Sequence, residues 1–126
     1  MERTKVTSTN YLNKQAIYEE CDEMHAISLI GGQWTLGILS TLINGKMRFG
    51  EIKKTIPQIT DRMLTLELRK LEQNKIVTRK VYAEVPPRVE YELTPIGYKL
   101  KLIIQELDTW GKEYKQEVGT ASCIDK

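Results

Sequence analysis

Apolar positions in the middle of the chain follow a helical period, then alternate, then return to a helical period. Phe49, Ile52 and Ile56 recur at spacings of three and four and mark one face of a first helix. Pro57 ends it, because the residue before a proline is pushed out of the α region. Gln58 and Ile59 leave a short turn, and Thr60 is placed to cap a second helix reaching about Asn74. In that helix Leu64, Leu68 and Leu71 repeat at i, i+4 and i+7, so one stripe is buried. The opposite face carries Asp61, Arg62, Thr65, Glu67, Arg69 and Glu72. Two helices across a tight turn, the second with a polar and partly basic outer face, form a helix-turn-helix arrangement. Any small helical hairpin with a solvated face shares this pattern, so the flanking segments decide.

After Lys75-Ile76 the period changes. Val77 to Tyr82 alternates as a strand does, and Val89 to Leu93 alternates again. Between them Pro86-Pro87 cannot continue a ladder, so Ala83 to Arg88 reads as a loop. A two-stranded ribbon directly after a helix-turn-helix predicts a winged helix, and Lys46-Met47-Arg48 is long enough for a short strand beside it.

Outside this region, residues 1–10 are polar and threonine-rich, and residues 1–20 predict a flexible arm in which Tyr11, Leu12, Ile17 and Tyr18 are placed to pack. Cys21 to Ile30 reads as a helix with Met24, Ile27 and Ile30 on one side, broken by Gly31-Gly32. From Trp34 to Ile43 apolar residues fall on nearly every side, which predicts a central, buried helix closed by Asn44-Gly45. Thr94-Pro95 predicts the start of a long helix. In it Ile96, Leu100, Ile103, Leu107, Trp110 and Tyr114 form a heptad-like seam, broadened by Ile104, that predicts dimerisation. After Tyr114 the period is lost and the tail reads as loose. The fold class is therefore mainly α with a small β-wing: a core over 21–93, then a C-terminal dimerisation helix and tail over 94–126, in one domain overall.

Composition adds limits. At 126 residues with 40% hydrophobic and 29% charged content, the chain is an ordinary soluble globular protein. Net charge is only +2 and the pI is near 8.5, so any basic surface must be local. The apolar runs are too short to span a bilayer, and the first residues lack the apolar core of a secretory signal. Cys21 and Cys123 form neither a disulfide framework nor a metal motif, and Cys21 with His25 alone makes no metal site. The expected compartment is the cytoplasm. One histidine, no phosphate-binding glycine loop and no nucleophile beside a base argue against an enzyme, and no cofactor or metal is expected. Trp34 and Trp110 read as core and interface residues, and no small-molecule effector is assigned.

The segments LIGGQWTLGIL, GKMRFGEIKKTIPQIT and MLTLELRKLEQNKIVTRKVYAEVPPRVEYELTPIGYKL resemble the HxlR-type transcriptional regulators of bacteria, winged-helix proteins related to the MarR group. The resemblance runs from about Cys21 to Trp110. It implies a homodimer that binds inverted or direct repeats in double-stranded DNA as repressor or activator. It also implies a cysteine near the start of the first core helix, matched by Cys21, which in several members senses oxidants or electrophiles. Two positions depart from the family pattern: Asp22 stands where proline is usual after that cysteine, and Gln33 where lysine precedes the tryptophan.

The first turns of a recognition helix contact bases, which makes Thr60, Asp61, Arg62 and Thr65 the candidates for readout. Arg62 is placed for guanine O6 and N7, and the Thr65 methyl for a thymine methyl. Arg69, Lys53 and Lys54 are placed for phosphates, with Thr60 at the helix N-terminus. Arg48 is a candidate for backbone contact or for bracing the wing. Lys80 and Arg88 flank the wing tip, with Arg88 a candidate for the minor groove. For Cys21, a helix start and His25 one turn on favour reactivity, while Glu19, Glu20, Asp22 and Glu23 oppose a thiolate. The rival class is a protein–protein docking module on the same fold, which would present an apolar patch in place of the basic face.

Overall fold

The computed structural model describes residues 21–119. The expected arm over 1–20, with Tyr11, Leu12, Ile17 and Tyr18, and the end of the tail with Cys123 lie outside the described residues. The chain divides into two compact units between Gly37 and Ile38.

In the first unit, helix α1 (Asp22–Ile30) begins at Cys21, whose extended backbone makes it the N-cap. Asp22 and Glu23 occupy its first turn, where carboxylates offset the positive end of the helix dipole. The Gly31 N–H closes the helix on the Ile27 carbonyl at 2.7 Å, where a side chain would collide: a Cβ on Gly31 would stand 2.7 Å from that oxygen. Of the expected apolar side, Ile30 is buried, whereas Met24 and Ile27 are exposed.

Helix α2 (Thr35–Leu42) continues into the second unit, where Ile38, Leu39 and Leu42 are fully buried as its all-round apolar pattern predicts. The second unit then runs through strand β1 (Met47–Arg48), helix α3 (Phe49–Thr55), helix α4 (Asp61–Gln73), strands β2 (Val77–Tyr82) and β3 (Arg88–Leu93), and helices α5 (Pro95–Tyr98) and α6 (Leu100–Val118). Ile52 of α3, Ile59 of the turn and Leu64, Leu68 and Leu71 of α4 complete a core with no more than 1% of each side chain exposed. Burying each such side chain stabilises the fold by about 1.5–3 kcal/mol. Thr60 caps α4 as its position predicts, its hydroxyl accepting from the Met63 N–H at 3.0 Å. Hydroxyls of Thr41 and Thr55, 3.0 Å apart, tie α2 to α3.

The sheet is antiparallel in the order β1-β3-β2. Val77 pairs with Leu93 and Tyr82 with Arg88, so the hairpin is in register along its whole length and its loop is Ala83 to Pro87. Met47 pairs with Tyr91 and Arg48 with Glu90, which places the short strand beside the wing.

The junction between α4, the wing and the C-terminal helices is tightly built. Lys75 adopts a left-handed conformation (φ +64°); its N–H reaches the Glu72 carbonyl at 3.0 Å, and the Ile76 N–H reaches that of Leu71 at 2.9 Å. This is a Schellman closure carried by a lysine where glycine is usual. The Ile76 carbonyl then accepts from the Thr94 N–H at 2.9 Å, and the Thr94 hydroxyl donates to the Lys75 carbonyl at 2.8 Å. That hydroxyl in turn accepts from the Gly97 N–H at 3.2 Å, capping α5.

The helix expected from Pro95 forms, with a one-residue lapse in its hydrogen bonding at Lys99, where the backbone stays α-helical (φ −66°, ψ −17°). One expectation is corrected here. The segment after Tyr114 is helical through Val118, because Lys115, Gln116 and Glu117 are good helix formers that need no buried face. Gly119, left-handed at φ 67°, ends it. Among the described residues no helix is long and apolar enough to cross a membrane.

A Cβ on Gly97 would stand 2.5 Å from the Ile76 carbonyl oxygen and 3.2 Å from Leu93 Cβ. Gly97→Ala should therefore lower stability by about 1–3 kcal/mol, the usual range for overpacking. Gly50→Ala, with nothing within 4 Å of the added carbon, should leave stability unchanged or raise it by up to about 1 kcal/mol. Urea unfolding of both variants checks the contrast, and equal midpoints would refute it.

Candidate nucleic-acid interface

Helix α4 turns its Leu64, Leu68 and Leu71 stripe inward, so 3.6-residue periodicity turns Arg62, Leu66, Arg69 and Gln73 to the opposite side. All four are exposed. Leu66 and Gln73 belong to this outward stripe although the sequence reading passed over them; their i+4 and i+11 spacing from Arg62 was the available signal.

The other residues of the first turns are partly engaged with one another. The Thr65 hydroxyl donates to the Asp61 carbonyl at 2.9 Å, and Thr65 is half-buried at the edge of the stripe. Asp61 and Lys53 form an ion pair at 3.6 Å across the turn between α3 and α4. Lysine and aspartate thus partly cancel where phosphate binding was expected of Lys53. Lys54 is exposed and unlike Lys53 lines a separate open concavity of about 540 Å³ with Lys46, Met47, Arg48, Gly50, Glu51 and Glu90. Arg48 is exposed there, and its backbone N–H donates to the Glu51 carboxylate at 2.8 Å, closing the start of α3. Three cations, Lys46, Arg48 and Lys54, are gathered in this place, one of them not singled out from the sequence.

The wing presents a different chemistry. Thr78, Lys80 and Tyr82 share one face of β2, opposite Glu92, Glu90 and Arg88 of β3. The Arg88 guanidinium lies 3.9 Å from the Tyr82 ring centroid, 3.1 Å from a Glu84 carboxylate oxygen and 3.5 Å from one of Glu90. Lys80 stands 5.3 Å from the same ring, and Lys46 is 3.7 Å from the other Glu90 oxygen. Both wing cations of the sequence reading are therefore held in place, and Arg88, 29% exposed, is folded onto its own hairpin. Its Nε and the Glu90 Oε1 are buried without a hydrogen-bond partner. At the base of the wing the Tyr98 hydroxyl donates to Glu92 at 3.3 Å. Partial burial, then the Glu92 charge, raise its pKa above the ordinary tyrosine value.

Cys21 lies in the first unit, half-buried at the N-cap of α1. The Glu23 carboxyl is held below the usual carboxylate range by its own backbone N–H and by the Cys21 thiol, which donates to it. Among the described residues no group of three or more His, Cys, Asp or Glu side chains is arranged to hold a metal. On α6 no residue is buried. Ile103, Leu107, Trp110 and Tyr114 of the expected seam are exposed, as is Leu102 at 72%, while Leu100 is half-buried. Ile96 of α5 is also exposed, and the rings of Trp110 and Tyr114 stack with centroids 5.4 Å apart.

Residues 29–118 match the HxlR-like helix-turn-helix family model. An HTH-type transcriptional regulator of Bacillus subtilis (strain 168), YdeP, is 45% identical over 109 residues, covering 86% of this chain and 85% of its own. The redox regulator HypR in its oxidized form is 44% identical with a TM-score of 0.70, over 74% of this chain and 96% of HypR. Diamide-treated YodB from B. subtilis is 42% identical with a TM-score of 0.64, over 75% of this chain and 94% of YodB.

Proposed function

This chain belongs to the HxlR-like helix-turn-helix family, and we propose that it is a sequence-specific DNA-binding transcriptional regulator of the cytoplasm that acts as a homodimer. The observation that carries the reading is the outward stripe of α4, where two exposed arginines stand opposite a fully buried leucine stripe. An α-helix so presented fits the major groove, and arginine is the residue that most often reads guanine there. Arg62, in the first turn, takes the base-reading role, while Arg69, Lys54 and Arg48 take phosphates. Thr60 and Asp61 act at the helix start, Asp61 by holding Lys53. Arg88 and Lys80 reach DNA only by exchanging their partners in the wing.

The exposed apolar side of α6 supports association with a second copy. An apolar stripe of this length on a charged 19-residue helix needs a cover in water, and a heptad-like spacing suits a matching helix. Ile96 and Leu100 extend the same seam toward the core. A response to oxidants through Cys21 is supported by two relatives, HypR, a redox regulator, and YodB, which was treated with diamide. Cys21 is the N-cap residue of α1, so modification of its sulfur would act at the start of that helix.

Three measurements test these roles. In mobility shifts on duplexes selected from random DNA, Arg62→Ala should cost about 1–3 kcal/mol and relax preference at one base pair. Unchanged affinity and preference would remove Arg62 from readout, and failure of selection altogether would favour a docking module. By sedimentation, Leu107→Glu should turn a dimer into a monomer, because a carboxylate replaces an apolar group in the seam; a persistent dimer places the interface elsewhere. Addition of diamide should change DNA binding by the wild-type chain and leave Cys21→Ser unaffected. An equal response in both proteins would discard Cys21 as the sensor.

A further inference from the structure

On the outward stripe of α4, Leu66 stands alone as a large apolar side chain, 47% exposed, one turn from Arg62 and about one turn from Arg69. Nothing in the stability of the fold calls for it. The core stripe is already complete with Leu64, Leu68 and Leu71, and an exposed helix position is served as well by any good helix former. Single exposed leucines are ordinary on protein surfaces, so exposure by itself means little. The surroundings narrow the choice of partner. Cations flank the leucine along the stripe and the amide of Gln73 ends it, so the matching surface must offer acceptors or negative charge on either side of one small apolar spot. An apolar protein patch does not supply that pattern. The major groove of a duplex does: guanine O6 and N7 and the phosphates for the arginines, and the thymine C5-methyl as its apolar group.

We infer that Leu66 is a specificity-determining residue that packs on the C5-methyl of a thymine in each half-site. The inference rests on the DNA-binding reading above and adds to it a preference for thymine at one position. Thr65, whose methyl was the sequence candidate for such a contact, is half-buried with its hydroxyl turned back to the Asp61 carbonyl. Leu66 lies in the middle of the stripe and reaches further. The contact is apolar and involves no charge, so it discriminates thymine from uracil at the same place, a distinction that leaves every hydrogen bond of the base pair intact.

The test uses that distinction. Each thymine of a duplex selected from random DNA is replaced singly by uracil, and affinity is measured for the wild-type chain, Leu66→Ala and Leu66→Met. One replacement per half-site should weaken wild-type binding about fourfold, the effect of one buried methyl. Leu66→Ala should bind the thymine duplex several-fold less well and be indifferent to that replacement, whereas Leu66→Met should remain sensitive. Alanine is the best helix former at an exposed position, so the variant folds, as circular dichroism would verify. Wild-type binding that ignores every uracil, or a Leu66→Ala variant as sensitive as the wild type, overturns the inference and leaves DNA binding standing. Failure of the wild type to select any duplex overturns the DNA-binding reading itself.

Discussion

Two neighbouring carbonyls at the end of α4, those of Lys75 and Ile76, hold together the three parts of the second unit. They accept both the N–H and the hydroxyl of Thr94, and so bind the exit of α4 to the exit of the wing. Thr94 then caps α5, and the missing side chain of Gly97 lets that turn close to within van der Waals range of the Ile76 carbonyl. Each of these hydrogen bonds contributes about 0.5–1.5 kcal/mol net to holding the parts together. The left-handed Lys75 is part of the same arrangement. It costs roughly 1–2 kcal/mol relative to a relaxed conformation, and the closure of α4 offsets it with two hydrogen bonds. A helix whose far end is anchored in this way presents its outer stripe in one orientation, as the base-reading role proposed for α4 requires.

Most of this architecture was legible in the residues because pattern and chemistry agreed. Pro57 and Thr60 mark the turn, and Leu64, Leu68 and Leu71 name the buried side of α4. The alternation from Val77 and from Val89 marks the wing, with prolines at its tip. What was not legible depended on tertiary contact. The close approach of Gly97 to the Ile76 carbonyl joins residues distant in sequence. The last turn of α6 lacks an apolar period because that end has no buried face, yet it stays helical. Lys75 gave no signal for a left-handed position that glycine usually fills.

The candidate interface was legible by side of helix and less so by individual residue. Arg62 and Arg69 are where periodicity puts them, but the reading favoured polar residue types and so omitted Leu66 from the same stripe. Types alone also could not reveal that Arg88 and Lys46 pair with Glu90, that Lys80 lies by the Tyr82 ring, or that Lys53 faces Asp61. Pairings of this kind depend on register across strands and on a turn between helices. A net charge of +2 is understandable in these terms. Many cations are matched locally, Lys46 by Glu90 and Lys53 by Asp61 among them, while Arg62, Arg69, Arg48 and Lys54 stand exposed.

That distribution argues for a division of labour between helix and wing. Arg88 is held by a ring face and two carboxylates, so giving it to a phosphate means breaking contacts of similar strength. The net gain from such an exchange is small, because an ion pair is replaced by an ion pair. An exposed arginine on α4, with no ion pair among the described residues, gives up water when it meets a base or a phosphate. The proposed base readout by α4 is consistent with this distribution, with the charged cluster of the wing engaged within its own hairpin. On the proposed reading, the exposed Arg62 and Arg69 are the groups expected to carry the salt dependence of DNA binding.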